Sequence, residues 1–158
     1  MVITKEEILK LLEEVCDPEI PVLNIVEMGI VRNVKENNNS CEIEITPTYS
    51  GCPAMKTIED EILNVLHSEG MEEVKVKKIY SPPWTTGWLS EETKLKLRDY
   101  GIAPPEGKPD EEFILKKITC PFCKSNNTKL TSEFGSTSCK SLHFCNDCCQ
   151  PFEHFKCI

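Results

Sequence analysis

Apolar residues recur at helical spacing in three parts of the chain, which predicts three amphipathic helices. The first follows a capping-box sequence at residues 4–7 and is expected to run to about Cys16. The second is expected to begin at Pro53, and the third follows Ser90, a typical N-cap residue, and should end at Gly101. The buried faces of the first two helices are expected to carry Ile8, Leu11, Leu12, Val15, Met55, Ile58, Ile62, Val65 and Leu66.

Three further segments have the pattern of β-strands. Residues 25–34 are largely apolar, residues 41–46 alternate strictly between polar and apolar positions, and residues 74–80 form a third candidate. The polar residues 36–40 predict a hairpin turn between the first two strands. The predicted order of elements is therefore α-β-β-α-β-α, which indicates a small α+β domain.

The cysteines divide the chain into two parts. Seven of the ten lie within the last 39 residues, after a stretch that is rich in proline and charged residues. This stretch has almost no apolar side chains, which is typical of a linker. We therefore predict an α+β domain at residues 1–102, a linker at 103–117 and a cysteine-rich module at 118–158.

Charge follows the same division. Residues 1–110 hold 12 Lys and Arg against 21 Asp and Glu, a balance of −9, whereas residues 111–158 hold 6 against 5, a balance of +1. Because an acidic body repels a phosphate backbone, nucleic-acid binding is not expected. The chain has no secretory-signal pattern and no long apolar run, so we expect a cytoplasmic protein without a membrane segment. In that compartment, ten cysteines indicate metal binding or thiol chemistry.

The tail contains two Cys-x-x-Cys pairs, Cys120 with Cys123 and Cys145 with Cys148, separated by 21 residues. Two such pairs can present four thiolates tetrahedrally to one ion, which is the pattern of a structural zinc ribbon. The spacing alone does not separate zinc from iron or from an iron–sulfur cluster. The sequence therefore predicts a zinc-ribbon-like module whose metal is open.

Five other residues of the tail could pack or bind metal. Cys139, Cys149 and Cys157 could be buried filler residues, and Cys139 and Cys157 could also join or replace metal ligands. His143 and His154 have aromatic or apolar neighbours in the sequence, so we expect both to pack rather than to bind metal.

Cys52 stands between Gly51 and Pro53 at the predicted corner from strand to helix. As the N-cap of the second helix, its sulfur would face free backbone amides and the positive end of the helix dipole, which stabilises a thiolate. We therefore predict an accessible, functional thiol with a lowered pKa. Cys16 and Cys41 lie within apolar patterns and are expected to be packing residues.

Three motifs of the first domain resemble the iron–sulfur cluster assembly factors related to SufT: residues 17–21, 28–31 and 46–53. The resemblance implies a small α/β domain whose Gly-Cys-Pro cysteine handles a metal or a cluster. The acidic residues of the first motif are equally typical of a solvated turn. The residues that the resemblance places around one site are Asp17, Glu19, Thr46 and Cys52.

Three more motifs extend the resemblance over nearly the whole chain. Residues 81–90, 97–105 and 132–140 are similar to the PaaD-type (also called PaaJ-type) accessory proteins of phenylacetyl-CoA 1,2-epoxidase systems. This implies a maturation factor rather than the oxygenase itself, one that helps to supply the iron–sulfur cluster of the reductase component or the diiron centre of the oxygenase. At Gly87 the chain departs from the aspartate usual in that family.

Three functions are compatible with these patterns. We favour a non-catalytic accessory protein that delivers or inserts iron or an iron–sulfur cluster, with Cys52 as the labile ligand and the tail as a zinc-stabilised docking module. Further ligands would come from a second copy in a homodimer, from a client or from glutathione. The alternative is a zinc-ribbon nucleic-acid-binding or transcription-associated module, against which the absence of a basic stripe argues. A thiol enzyme that uses Cys52 would lack a histidine partner nearby in the sequence.

Overall fold

The computed structural model describes residues 3–106 and 117–157, and the chain divides into two compact units, Met1–Trp84 and Thr85–Ile158. Each unit contains its own β-sheet. The third helix falls in the second unit, whereas the sequence predicted a domain limit after it, at residue 102. Most of the predicted linker, residues 107–116, lies outside the described residues.

Two helices and two groups of strands form the described part of the first unit. In chain order they are α1 (Lys5–Leu12), β1 (Cys16–Asp17), β2 (Ile20–Asn24), β3 (Val31–Asn37), β4 (Ser40–Ile45), α2 (Ala54–Ser68) and β5 (Glu73–Lys78). The sheet has the order β3-β4-β5, in which β3 is antiparallel and β5 is parallel to β4. β1 and β2 form a separate antiparallel ribbon. The parallel pair requires a crossover connection, and α2 provides it.

The core of the first unit lies between the helices and the sheet. α1 packs against α2 and β3, and α2 packs against β5. Along β4 the buried residues alternate with half-buried ones, as the sequence pattern predicted, so that Ile43 and Ile45 lie in the core. The helical residues that complete this core are Ile8, Leu12, Ile58, Ile62 and Leu66, all fully buried.

α1 begins as predicted and ends earlier than predicted. The backbone N–H of Thr4 donates to Oε2 of Glu7 at 2.8 Å, and the backbone N–H of Glu7 donates to Oγ1 of Thr4 at 3.3 Å, which completes the capping box. The helix ends at Leu12, and Cys16 lies in β1 with an exposed side chain. The prediction that Cys16 packs in the core is wrong, because neighbouring strand residues face opposite sides and Asp17 takes the buried one.

The predicted strand at residues 25–34 begins only at Val31. Before it, Oδ1 of Asn24 accepts hydrogen bonds from the backbone N–H of Val26 at 3.0 Å and of Glu27 at 2.8 Å, and Gly29 has a left-handed φ of +74°. The segment is therefore a turn that is nonetheless partly buried in the core. A short apolar run of this kind cannot be told from a strand by periodicity alone.

The described part of the second unit combines one α-helix with a four-stranded sheet. Its described elements are a 3₁₀ helix (Thr86–Trp88), α3 (Glu91–Tyr100), β6 (Ile102–Ala103), β7 (Thr128–Ser132), β8 (Lys140–Cys145) and β9 (Pro151–Phe155). α3 begins and ends as predicted, since Oγ of Ser90 accepts from the backbone N–H of Thr93 at 3.1 Å and Gly101 is left-handed with φ +95°. The sheet has the order β6-β9-β8-β7.

β6 joins this sheet before the first cysteine of the tail. Ile102 and Ala103 pair in parallel with Glu153 and His154 of β9, whereas the other two strand pairs of the sheet are antiparallel. Ala103 is fully buried. It belongs to the core cluster of the unit, which also contains Ile118, Cys120, Cys145 and Phe152.

Among the residues that the structure describes, no helix has both the length and the apolar character needed to cross a lipid bilayer.

Candidate functional site

The loop between β4 and α2 carries Cys52. The loop begins at Thr46, whose backbone N–H donates to the carbonyl oxygen of Ile30 at 2.9 Å, and it closes where the backbone N–H of Cys52 donates to the carbonyl oxygen of Tyr49 at 3.3 Å. Gly51 has a φ of +75°, and a Cβ added there would meet no atom within 4 Å. Glycine is therefore needed at this position for the backbone conformation of the turn rather than for space.

Cys52 lies one residue further from α2 than predicted. The helix begins at Ala54, and Pro53 is the N-cap, with φ −70° and ψ −21°. The assigned cap is therefore one residue later than the predicted one, Cys52. The difference is small, because the fixed φ of proline suits the first helical position and Pro53 already has the helical angles of that position. The backbone N–H of Ala54 nevertheless hydrogen-bonds the Cys52 sulfur, so the thiol still faces the helix amides.

The surroundings of Cys52 favour a protonated thiol. Its side chain is 9% exposed, and this burial is the largest effect, raising the pKa above the ordinary value for a cysteine. The Ala54 N–H and the Tyr49 hydroxyl oppose the shift, and the negative charges of Glu19 and Asp17 add to it. The predicted accessible thiolate with a lowered pKa is therefore wrong, because desolvation and two nearby carboxylates outweigh the helix amides.

The β1–β2 turn brings two carboxylates to this loop. Asp17 is buried, and its Oδ1 accepts from the backbone N–H of Glu19 at 2.7 Å, which fixes the turn. Oε1 of Glu19 in turn accepts from the Tyr49 hydroxyl at 3.1 Å. Both carboxylates act electrostatically on Cys52. The acidic pair thus forms a turn and also borders the thiol.

Tyr49 is a site residue that the sequence prediction did not select. Its hydroxyl hydrogen-bonds Glu19, 30 residues away in the chain, and interacts with the Cys52 sulfur. Burial raises the pKa of Tyr49 well above its usual range, and the charges of Cys52 and Glu19 raise it further. A sequence signal was available in the spacing of Tyr49 and Cys52, because residues i and i+3 of a tight turn lie close together.

Of the four residues predicted at this site, Thr46 is buried, and its backbone N–H anchors the start of the loop.

The second unit gathers four sulfurs. The Sγ atoms of Cys120, Cys123, Cys145 and Cys148 all lie within 4.8 Å of one another. Two of the separations are 3.7 Å, between Cys120 and Cys148, and 3.5 Å, between Cys123 and Cys145. Four thiolates at the usual Zn–S distance in a tetrahedron stand about 3.8 Å apart. The donor set therefore fits a single Zn²⁺ ion, and a single ion rather than a cluster of several irons accounts for this spacing.

The backbone of the two Cys-x-x-Cys turns positions these sulfurs. The backbone N–H of Lys124 donates to the carbonyl of Cys120, and that of Cys149 donates to the carbonyl of Cys145, both at 3.0 Å. Lys124 and Cys149 occupy equivalent left-handed positions, with φ of +66° and +60°. Cys149 thus completes the second turn, and its exposed side chain lies outside the four-sulfur cluster.

Backbone amides favour the thiolate form of one of the four sulfurs, that of Cys145, whereas burial raises the pKa of Cys148 to about 12. The N–H groups of Cys148 and Asp147 donate to the Cys145 sulfur and lower its pKa to about 7. Metal ligation requires the thiolate form, so this arrangement favours binding. Cys120 and Cys145 are fully buried.

A side-chain contact links the two Cys-x-x-Cys turns. Asp147 accepts hydrogen bonds from the Ser125 hydroxyl and, at 2.7 Å, from Nδ2 of Asn127. Asn127 also accepts from Nδ2 of Asn146 at 3.1 Å. These contacts hold the first turn to the second through residues next to the ligands in the sequence, and such outer-shell contacts commonly support metal ligands.

The remaining cysteines and histidines of the tail lie apart from the four sulfurs. The Cys139 sulfur contacts the Thr137 hydroxyl at 3.1 Å, and the Cys157 thiol donates to the carbonyl of Glu106 at 3.4 Å. His143 and His154 are buried, as expected. The Ser141 hydroxyl lies 3.0 Å from Nε2 of His143 and 3.4 Å from Nδ1 of His154, so both rings belong to a buried polar group.

Two protein families match successive parts of the chain. Residues 5–77 match the family described as iron–sulfur cluster assembly protein, and residues 105–156 match the PaaD zinc beta ribbon domain. In the solved structures, the crystal structure of a DUF59 domain from Bacillus anthracis matches with a TM-score of 0.55 and 31% identity, over 59% of this chain and 90% of that one. These matches confirm the predicted fold class, an α+β assembly-type domain followed by a zinc ribbon.

Individual relatives show how far the similarity extends. A Porphyromonas gingivalis protein named Fe-S protein maturation auxiliary factor is 35% identical over 96 residues, which cover 60% of this chain and 90% of that protein. An Escherichia coli K12 protein, named as a putative component of 1,2-phenylacetyl-CoA epoxidase, is 44% identical over 152 residues, which cover 96% of this chain and 92% of that protein. Because this second match runs through both units and the ribbon matches the PaaD model, the chain belongs to the PaaD family of 1,2-phenylacetyl-CoA epoxidase components.

Proposed function

We propose that this protein is a non-catalytic accessory factor that delivers or inserts iron or an iron–sulfur cluster into a phenylacetyl-CoA oxygenase. The names of its relatives support both halves of the proposal, since one is an epoxidase component and another is an Fe-S protein maturation auxiliary factor. The client would be the reductase component, which needs a cluster, or the diiron component, which needs iron. In this scheme the delivered iron or iron–sulfur cluster is a substrate of the protein, whereas the zinc ion stays bound in the ribbon.

One contrast between the two units carries the proposal. Among the described residues, the four sulfurs of the ribbon form the only group of three or more Cys, His, Asp and Glu side chains arranged to hold an ion. Cys52 offers one sulfur, beside the carboxylates of Asp17 and Glu19. An iron held there would keep coordination positions for ligands from elsewhere, and such a site can release its metal. The ribbon, with four ligands of its own, is suited to retain one.

The missing ligands suggest an assembly. We propose that they come from a second copy of this chain in a homodimer, or from the client itself during transfer. Because the interaction depends on the cargo, the dimer should form or strengthen when iron and sulfide are added. Light scattering of the protein before and after anaerobic reconstitution measures this directly.

The proposed role of Cys52 is tested by anaerobic reconstitution with iron and sulfide. The zinc-loaded protein and the Cys52→Ser variant are compared by metal analysis and by the absorbance of bound iron–sulfur species. Cys16→Ser is the matched control, because Cys16 is an exposed thiol of the same unit. We expect Cys52→Ser alone to lose iron uptake while zinc content is unchanged. Equal uptake by Cys52→Ser and the unmodified chain would overturn the proposed role.

The choice of client is tested by transfer. Reconstituted protein is mixed with the apo reductase component or with the apo diiron component, and metal in each partner is measured after separation. Transfer to one partner that fails with Cys52→Ser identifies the client. Absence of transfer to both, from a protein that does bind iron, would limit its function to storage or scaffolding and would contradict delivery.

A further inference from the structure

We propose that β5 is an edge at which two copies of this chain associate, with their β5 strands antiparallel so that the two sheets become one continuous sheet. A two-fold axis beside Lys75 relates the copies, and each copy contributes the same surface, as in most dimers. The inference goes beyond the proposed function, because pairing at this edge involves neither Cys52 nor iron.

β5 forms one edge of the three-stranded sheet and, among the residues that the structure describes, pairs only with β4. The backbone N–H of Ile79 donates to the carbonyl oxygen of Ile45 at 2.8 Å, and that of Glu73 likewise donates to the residue that precedes β4. The odd-numbered residues therefore direct their backbone groups to β4. Because these groups alternate along a strand, those of Val74 and Val76 point to the open edge, where they can pair with another strand.

The other edge of the sheet, β3, is protected in ways that β5 is not. The register of β3 against β4 shifts between Val31 and Asn33, an irregularity that discourages pairing with a further strand. The ammonium of Lys35 on β3 is already held by the carboxylates of Glu42 and Glu44, at 3.0 and 2.9 Å. β5 pairs with β4 in an uninterrupted register along its whole length. β5 is therefore the edge suited to a second copy.

The charges of this edge are complementary to themselves. Two acidic residues, 72 and 73, stand at the start of the segment and two lysines, 77 and 78, at its end. An antiparallel copy brings each end to the opposite end, and opposite charges across two strands stabilise their pairing. With the axis beside Lys75, the pairs that face each other between the copies are Glu73 with Lys77, Glu72 with Lys78 and Val74 with Val76.

This register is the most favourable of those that keep the backbone groups and the side-chain faces matched. An axis at Val74 would retain one kind of opposite-charge pair, Glu73 with Lys75. An axis at Val76 would place Lys75 against Lys77, and like charges in this position are destabilising. With the axis beside Lys75, that residue meets its own copy, which is the one unfavourable charge pair of the arrangement.

The charged side chains of the edge are available to a second copy. Glu73, Lys75 and Lys77 are exposed, and none of them forms an ion pair with another described residue. Lys78 differs, because its ammonium lies 3.0 Å from the carboxylate of Glu59 on α2. The pairs that a second copy would add without replacing an existing one are therefore those between Glu73 and Lys77.

The apolar residues of the edge are incompletely covered. Val74 and Val76 lie beside buried residues of β4, on the core face of the sheet, yet both are only half-buried. Pairing with a second β5 would place each valine against the other valine of the second copy. Removal of their remaining apolar surface from water would add to the backbone hydrogen bonds and the charge pairs.

The arrangement sets the two Cys52 loops apart. Each loop follows β4, β5 is parallel to β4, and the β5 strands of the two copies are antiparallel. The loops therefore lie at opposite ends of the joined sheet, and neither Cys52 site is completed by the second copy. Association at β5 is thus independent of the delivered iron, whose further ligands would come from the client.

Charge reversal tests the pairing. The zinc-loaded full chain without iron is studied by sedimentation velocity over a range of concentrations. Glu73→Lys and Lys77→Glu each place like charges opposite one another twice, so each variant alone should dimerise about tenfold more weakly. An equimolar mixture of the two should dimerise like the unmodified chain, because every pair between the different copies again joins opposite charges. Glu36→Lys and Lys10→Glu, exposed on β3 and α1, are the matched controls and should have no effect, alone or mixed.

A cysteine at the axis tests the register. Lys75→Cys brings two thiols opposite each other in a non-hydrogen-bonded pair, so mild oxidation should yield a covalent dimer. Lys77→Cys carries the same native thiols, but its introduced thiols would lie four residues apart along the strands, roughly 13 Å, and should not cross-link. Equal cross-linking of the two variants would reject this register.

Three results would overturn the proposal: a chain that stays monomeric at every concentration, single variants that dimerise like the unmodified chain, or a mixture that fails to restore the dimer. The proposed function can fail separately. Cys52→Ser should dimerise like the unmodified chain, and the charge variants should retain iron uptake per chain.

Discussion

Asn127 donates a hydrogen bond to Asp147 at 2.7 Å and so ties the first Cys-x-x-Cys turn of the ribbon to the second. The ligand pairs lie far apart in the sequence, and each alone could hold only half of the metal's coordination sphere. The contact places the two halves in register from outside the four sulfurs. Retention of the ion should therefore depend on residues that never touch it.

Asp147→Ala should weaken zinc binding, because it removes both side-chain acceptors that hold Ser125 and Asn127. The expected increase in zinc loss is about tenfold, the lower range for changes in residues that support metal ligands. The rate of zinc transfer to a chromophoric chelator measures it. Asp99→Ala, an exposed change on α3, is the matched control. Identical release from both variants would mean that the contact does not support the site.

Chelation of zinc should unfold the ribbon while the first unit stays folded. The four sulfurs lie beside the core cluster of the second unit, and metal binding supplies roughly 10 kcal/mol of folding free energy to small zinc modules. Hydrogen exchange with and without a strong chelator is the measurement. Protection should disappear from β8 and β9 and persist in β4 and α2. Persistent protection in β8 would contradict a folding role for the metal.

The first unit should become less stable at alkaline pH. Burial raises the pKa of Cys41 and of Cys52 in the folded state, so their contribution is complete below the unfolded-state pKa and disappears as pH rises through the folded-state value. The free energy of unfolding should thus begin to fall above about pH 8.5, the ordinary value for a thiol. Cys41→Val should reduce this fall, because valine has no proton to lose.

Urea unfolding from pH 7 to pH 10 is followed by the fluorescence of Trp84, which is buried in the first unit, in a Trp88→Phe background. Cys16→Val changes an exposed thiol and should retain the full pH dependence. A Cys41→Val protein with the same slope as the Cys16→Val protein would show that another group causes the loss.

Trp84→Phe should destabilise the first unit. The indole N–H donates to the carbonyl oxygen of Met28 at 2.8 Å, and both residues are buried. Replacing one partner of a buried hydrogen bond costs about 1–3 kcal/mol. Urea unfolding followed by far-UV circular dichroism measures the change, and Trp88→Phe, at a half-buried position, is the comparison. Equal effects of the two changes would argue against a specific contribution of this bond.

Gly51→Ala should cost about 1–2 kcal/mol, the penalty for placing a Cβ in the left-handed region. Its φ is +75° and the space around it is open, so no clash adds to this penalty. At Gly101 the same change meets the Phe122 ring at 3.1 Å and should cost more. Urea unfolding of the two variants provides the comparison. A Gly101→Ala protein as stable as Gly51→Ala would mean that Phe122 moves away freely.

Local chemistry made several features predictable. The capping box at Thr4, the N-cap at Ser90 and the left-handed stop at Gly101 depend on residues within one turn of each other, and the structure has all three. The group of four cysteines that can hold a metal ion was equally predictable, because two Cys-x-x-Cys pairs in such a chain most often bind a metal. In each case the residues that determine the feature form a recognisable sequence motif.

Other features depend on distant parts of the chain. The state of Cys52 was predicted wrongly because its local sequence points to helix amides, whereas burial and the carboxylates from the β1–β2 turn decide its pKa. The contact between Tyr49 and Glu19 spans 30 residues and has no local signature. The prediction for Cys16 failed for a related reason. Whether its side chain faces the core depends on where α1 ends, and α1 ends at Leu12.

The parallel pairing of β6 with β9 has a consequence for how this module could be moved between proteins. A ribbon excised at residue 118 would leave the β9 edge with unpaired backbone groups, which is a surface prone to aggregation. A fragment that is to fold in another protein must therefore include Ile102 and Ala103, together with α3, the helix that precedes them. Gene fusions that take only the cysteine pairs would acquire the metal ligands without the strand that covers the β9 edge.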